Sequence, residues 1–283
     1  MGLFPEHIKI SIGVYVEQFV IWITKNYAGV FESIKHMILK FLLVTQGALL
    51  SVPWILVIGL VVIVGWKFKN IKSGILYGGM IFLIGGFGLW EEMMITLAIV
   101  LTSVIISLII GIPFGILIAY KKRVETITRP LLDAMQTMPS FVYLIPAIML
   151  FGLGMVPAVF ATTIYSLPPV IRLTNLAIKS VSKEMIEASN SFGASTMQTL
   201  LKVEIPQAMP TIMTGINQTT MMAMAMVVVS SMIGAKGLGM NVINAINRID
   251  IGMGFEAGLS IVFLAIIIDR LTQSVADKFK YDR

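Results

Sequence analysis

Residues 94–119 read MITLAIVLTSVIISLIIGIPFGILIA, an unbroken run without a single charged side chain. A bilayer core demands about 20 mostly apolar residues in one helix, because lipid offers nothing to bond a free backbone amide or carbonyl. The run is long enough to cross. Working outward, the same criterion marks stretches near Phe41–Val64, Ser73–Leu89, Phe141–Leu153, Met155–Ile171, Thr211–Ile233 and Gly254–Ile268, giving about seven spans in all. Gly152, Gly154 and Pro157 interrupt what would otherwise be one apolar stretch, which therefore reads as two short spans or one kinked one. The composition agrees: 57% of the 283 residues are hydrophobic, 13% are charged and the mean hydropathy is +0.90. The fold class expected is an all-α integral membrane protein.

The 21 Lys and Arg fall unevenly about these spans. Fifteen lie in the stretches around 67–72, 121–129, 172–202 and 270–283, against six at Lys9, Lys25, Lys35, Lys40, Lys236 and Arg248. The richer side faces the cytoplasm by the positive-inside rule, which puts the N-terminus outside and the C-terminus inside. Residues 4–40 mix Val14, Val16, Phe19, Ile21 and Trp22 with Glu17, Lys25, Glu32 and Lys35. That pattern suits an extracytoplasmic amphipathic helix lying in the interface, over 1–40, or an extension packed on the bundle. Two accessory spans follow over 41–90, a main core over 91–272 and a cytoplasmic tail over 273–283. No cleaved signal peptide is expected at the N-terminus, where Glu6, His7 and Lys9 precede the first apolar run.

Several chemistries are excluded by composition. The chain has no cysteine, and its two histidines, His7 and His36, are too far apart for a paired zinc site. A net charge of +6 without a basic block interleaved with aromatics does not describe a nucleic-acid binder. Intramembrane Asp, Glu and His are scarce, which disfavours a proton-relay carrier.

The polar connection from Leu173 to Pro210 carries its own helix signals. Ser182 is placed to cap a helix with Glu184 in its first turn, and Gly193 to end it after Phe192. Ser195 and Gln198 have capping-box spacing for a second short helix, with Pro206 and Pro210 expected to stop that run before the next span. The loop reads as a cytoplasmic helix-turn-helix with exposed Glu184, Glu187, Ser189 and Ser191.

Glu187-Ala188-Ser189-Asn190-Ser191-Phe192-Gly193, then nine residues, then Val203-Glu204-Ile205-Pro206, resembles the EAA loop of ABC importer permeases. Ser189 stands for the second alanine of that pattern, Val203 for isoleucine and Ile205 for leucine. Further stretches, among them Leu167–Thr174, Ile205–Met213, Gly215–Gln218 and Asp269–Gln273, look like the glycine betaine and proline betaine permeases of bacteria over roughly residues 90 to 275. The resemblance implies a type I ABC importer core in the bacterial cytoplasmic membrane. It implies that Glu187, Ala188, Ser189, Ser191, Phe192, Gly193 and Pro206 couple the chain to an ATPase. It also implies two permease copies, two cytoplasmic ATPase subunits that bind ATP and Mg, and an extracytoplasmic substrate-binding protein.

A P-loop is absent: Gly234-Ala235-Lys236-Gly237 lacks the following Ser or Thr, so this chain is expected to be a non-catalytic subunit. A quaternary ammonium substrate favours aromatic faces. Phe141, Tyr143, Phe151 and Tyr165 are candidate pathway residues on that ground, and the methionine run containing Met221 and Met224 suits helices that re-pack. Aromatics in membrane helices more often serve packing or interface belts, and plain bundle packing is the commoner role for the methionines as well. Choline, carnitine, proline or another amino acid stay open as substrates, and an ion-coupled carrier or an osmotically gated channel as other classes of function.

Overall fold

The computed structural model describes residues 12–277, so His7, Lys9 and the end of the tail lie outside the described residues. Two helices open the chain, α1 (Ile12–Asn26) and α2 (Ala28–Ser51). Next come a helical hairpin of α3 (Trp54–Phe68) and α4 (Ile71–Gly86), and then the long α5 (Trp90–Tyr120). The helix expected over Phe41–Val64 is divided. Val52 is extended, with φ −80° and ψ 123°, because the ring of Pro53 disfavours helical geometry at the residue before it. The boundary expected at residues 40/41 accordingly falls inside α2.

By length and composition α2 could cross a membrane. Near its start the Phe31 ring meets Phe151, 6.1 Å between centroids, at the turn before α8. At its end and just beyond, Leu50, Val52 and Pro53 share a pocket with Gly85, Gly86 and Trp90 at the α4–α5 turn. Between these contacts, Ile38 and Leu42 of α2 are buried in the core.

After α5 the chain forms α6 (Lys122–Thr137), then a 3-10 turn (Ser140–Tyr143) and the short α7 (Leu144–Phe151). The span expected over Phe141–Leu153 is not one straight helix. It is the far limb of a segment bent by 111° after α6, at Met138-Pro139, where Met138 is extended ahead of the proline. α8 (Met155–Lys179) keeps its helix through Pro168 and Pro169 and runs past the expected end at Ile171.

α5 and α8 lie parallel, since their contacts advance together. Ser103 Oγ donates to the Val159 carbonyl at 3.3 Å and Ser107 Oγ to the Thr163 carbonyl at 3.1 Å. One and two turns on, the backbones close up: a Cβ built on Gly111 would stand 2.4 Å from Val170 Cγ1, and one on Gly115 2.9 Å from the Ile171 carbonyl. Small residues at every fourth position let two helices approach closely where lipid gives no hydrophobic drive between them.

Two further short helices, α9 (Lys183–Ser191) and α10 (Thr196–Thr199), lead through a π-turn (Leu200–Glu204) into α11 (Ile205–Ser230). Pro206 and Pro210 do not stop the run as expected. Pro206 falls in the first turn of α11, directly after the π-turn, and Pro210 lies inside the helix one turn later, so the helix runs on through both. α11 returns antiparallel to α8, with Gly215 against Leu173 and, at the far end, the Gly154 amide on the Ile233 carbonyl at 2.9 Å. Last come α12 (Leu238–Arg248) and α13 (Ile251–Asp277). The Leu238 amide donates to Thr96 Oγ1 at 2.9 Å, which ties α12 to the start of α5. The largest buried cluster draws on α2, α4, α5, α8, α11 and α13. Among the described residues, five helices are long and apolar enough to span a membrane, six if the bent α6–α7 segment counts as one, beside the shorter apolar α3 and α4.

Candidate functional site

α9 projects from the bundle with none of its residues buried. Local chemistry shapes it. Ser182 Oγ accepts the Met185 amide at 3.3 Å, and Glu184 lies in the first turn, where a carboxylate is favoured by the exposed amides. A bond to its own backbone amide and another to Ser182 hold the Glu184 carboxyl below its ordinary range.

At the other end Gly193 takes φ +77°, a left-handed conformation that penalises any Cβ. Its amide donates to the Asn190 carbonyl at 2.9 Å, and the Ala194 amide to the Ser189 carbonyl at 3.2 Å, the paired bonds of a Schellman stop. α10 follows at once with a full capping box. The Gln198 amide bonds Ser195 Oγ at 3.4 Å, and Gln198 Oε1 accepts the Ser195 amide at 2.8 Å. Ser189 and Thr199 join the two helices through their hydroxyls at 3.0 Å.

Ala188, Ser189, Phe192 and Gly193 come together on one open cleft, completed by Met185 and Lys202. Phe192 is its dominant feature: an aromatic ring 92% exposed at the tip of the loop. Glu187 and Ser191 are exposed beside it, with Ser191 Oγ bonded back to the Glu187 carbonyl. Pro206 lies apart, half-buried at the root of α11.

The candidate pathway residues are dispersed. Tyr143 is buried and packs edge-on against Tyr165, 5.6 Å between centroids, while its hydroxyl bonds the Met135 carbonyl. Phe151 is enclosed between Phe31 and Phe160, and Met221 and Met224 belong to the large core. Phe141 alone among these aromatics is exposed, at 53%. Asp269 accepts from Asn217 at 2.9 Å and from Gln273 at 2.7 Å, with Arg270 alongside at 3.8 Å.

Sequence reasoning missed the polar contacts at the roots of the loop. Glu125 receives bonds from Arg129, Asn175 and Lys179, Tyr120 reaches Glu204, and Arg172 pairs with Asp133. Only Glu125 and Arg129, four residues apart on one helix, carried a signal in the sequence.

Residues 111–281 match the family of binding-protein-dependent transport system inner membrane components. The chain belongs to that family. It is 45% identical over 266 residues to the glycine betaine/proline betaine transport system permease protein ProW of Escherichia coli, covering 94% of this chain and 75% of that one. It is also 45% identical to the glycine betaine/carnitine transport permease protein GbuB of Listeria monocytogenes, over 98% of this chain and 99% of the relative. Among solved structures, an inward-facing MetNI methionine ABC transporter shares the fold with TM-score 0.61 at 20% identity, over 68% of this chain and 96% of that one. The protein is thus a multi-pass membrane component of an ABC importer, and the type I permease core read from the sequence is the fold found.

Proposed function

We propose that this chain is the permease subunit of an ATP-driven importer for glycine betaine or a related betaine, and that the α9–α10 loop is where it docks a cytoplasmic ATPase. The observation that carries the docking role is the 92% exposed Phe192 ring on a helix whose two ends are both fixed by capping bonds. A bare aromatic on a rigid polar helix outside the apolar bundle is a surface prepared for a partner. Glu187, Ala188, Ser189, Ser191 and Gly193 surround it, and Pro206 starts the helix that would carry the movement inward.

In this reading two copies of the chain face each other, each with one ATPase that supplies ATP and Mg chemistry, and a binding protein delivers substrate to the opposite end. The loop end is cytoplasmic. Lys121, Lys122, Arg172, Lys179 and Lys202 gather there, whereas Lys236 and Arg248 mark the far end, and this bias supports an N-terminus outside and a C-terminus inside. α1, with Tyr15, Phe19 and Trp22 all exposed, lies in the outer interface.

The betaine assignment is supported by a glycine betaine/proline betaine permease and a glycine betaine/carnitine permease, each 45% identical across nearly the whole chain. The substrate's methylated nitrogen donates no ordinary hydrogen bond and is best held by aromatic faces. In this reading the main cage belongs to the binding protein, and of the four candidate aromatics in this chain Phe141 is the exposed one, free to line a path. Tyr143, Tyr165, Met221 and Met224 would support that path by packing.

The test is reconstitution of the permease, the ATPase and the binding protein in vesicles. Labelled glycine betaine should accumulate only with internal ATP and external binding protein. Accumulation driven by an ion gradient without ATP would overturn the reading.

A further inference from the structure

Both roots of the α9–α10 loop are bonded to a single corner of the molecule, the junction of α5 and α6. At the incoming root, Lys179 closes α8, and its Nζ bonds Glu125 Oε2. Asn175 Nδ2, one turn earlier, bonds Glu125 Oε1 at 3.1 Å, and Arg129 Nη2 reaches the same oxygen at 2.8 Å. Glu125 is only 5% exposed, so its carboxylate is withdrawn from water and held by three donors on two helices. At the outgoing root, the Tyr120 hydroxyl donates to Glu204 Oε2. Glu204 is buried as well, and it is the last residue of the π-turn that joins α10 to α11.

A loop held in place by its caps alone requires none of this. Burying a carboxylate is costly unless its oxygens are bonded, and here a buried, bonded carboxylate ties each root to the same six-residue corner, Tyr120 to Glu125: Glu125 of the corner holds the incoming root, and Glu204 of the outgoing root is held by Tyr120. The π-turn is the natural weak point of the outgoing root. Its bonds are irregular, and such turns concentrate at functional positions in helices. Tyr120 grips the chain there.

We propose that Tyr120 and Glu125 are positioning residues that clamp the two roots of the loop to the α5–α6 corner. Force arriving at α9 then moves α5, α8 and α11 together instead of being absorbed by bending at the π-turn. The proposal rests on the reading of the loop as an ATPase dock.

The absence of cysteine allows clean labelling. Met197→Cys on α10 and Ile127→Cys on α6, both exposed, take a spin-label pair in the assembled complex in lipid nanodiscs. Tyr120→Phe and Glu125→Gln are compared with the parent for the width of the label distance distribution. In vesicles the same variants are compared for substrate moved per ATP hydrolysed.

Both variants are expected to keep basal ATP hydrolysis, to broaden the distribution, and to move about fivefold less substrate per ATP or worse. A parental distribution, or a broadened one with parental coupling, overturns the proposal. Tyr120→Phe removes one oxygen from a half-exposed ring and decides the matter if Glu125→Gln does not assemble. Failure of Tyr120→Phe itself to assemble also refutes the proposal, since the bond would then serve folding and not coupling. Phe192→Ala separates the two readings: it should lower coupling while leaving the distance distribution narrow, and parental coupling there sinks the dock without touching the clamp.

Discussion

Phe192→Ala should detach the motor without weakening the permease. In the chain alone the ring is 92% exposed, so its removal leaves no cavity and breaks almost no packing. Thermal unfolding of the isolated permease should therefore move by no more than an ordinary surface substitution, within about 0.5 kcal/mol. A phenylalanine buries about 200 Å² when fully enclosed, and at about 25 cal/mol per Å² that corresponds to roughly 4–5 kcal/mol of transfer free energy. Ordering of the partner surface reduces the return, leaving about 2–4 kcal/mol, a loss of about 30- to 1000-fold in affinity. The assay is titration of purified ATPase onto permease in nanodiscs, read by fluorescence anisotropy. Affinity unchanged within about threefold would refute the argument that this ring is the anchor. So would an equal loss of stability in the isolated permease, because the ring would then be structural.

Gly115→Ala should destabilise the bundle by about 1–3 kcal/mol, because the new Cβ would stand 2.7 Å from Thr174 Cβ and 2.9 Å from the Ile171 carbonyl; Gly47→Ala, with open space around it, should not. The melting temperatures of the two in the same detergent check this. Glu184 has its carboxyl held low by bonds made in the folded state, so its contribution to α9 is complete above the ordinary value of 4.5 and is lost as pH falls below it. Hydrogen exchange of α9 amides should show protection falling in that acidic window, and Glu184→Gln should abolish the pH dependence. Neutralising Lys121, Lys122 and Arg123 together should weaken attraction to anionic lipid by about 1 kcal/mol per charge, seen as a flatter response of uptake to salt and to lipid charge.

The periodic and the punctuated parts of this chain were legible, and the contacts that cross between helices were not. An uncharged run such as 94–119 has one physical solution in lipid, and α5 follows it closely. The loop was readable because caps are local: Ser182, Gly193 and the Ser195–Gln198 pair act within one turn of their own positions. Proline misled twice, in opposite directions. Pro53 breaks a helix that hydrophobicity alone would continue, whereas Pro206 and Pro210 lie inside a helix they were expected to end. The difference lies in the residue ahead of each ring: Val52 takes the extended geometry that a following proline favours, whereas Ile205 ahead of Pro206 stays helical at φ −60° and ψ −47°. The bonds of Glu125 to Asn175 and Lys179, and of Tyr120 to Glu204, span 50 residues and more, and no spacing rule reaches that far. The aromatic pathway candidates show the same limit, because burial of Tyr143 and exposure of Phe141 depend on a bend of 111° that apolarity does not encode.

Ser103, Ser107, Gly111 and Gly115 recur at a step of four on a helix of 3.6 residues per turn, so the stripe they form winds by about 40° per step. Contact along its whole length is possible only if α8 wraps obliquely against α5, with hydroxyls bonded across at one end and bare backbone pressed together at the other. Two rods joined that way cannot shear past one another. They join the loop end to the turn at Gly154 as one column, and sliding either helix alone would break the Ser103–Val159 and Ser107–Thr163 bonds.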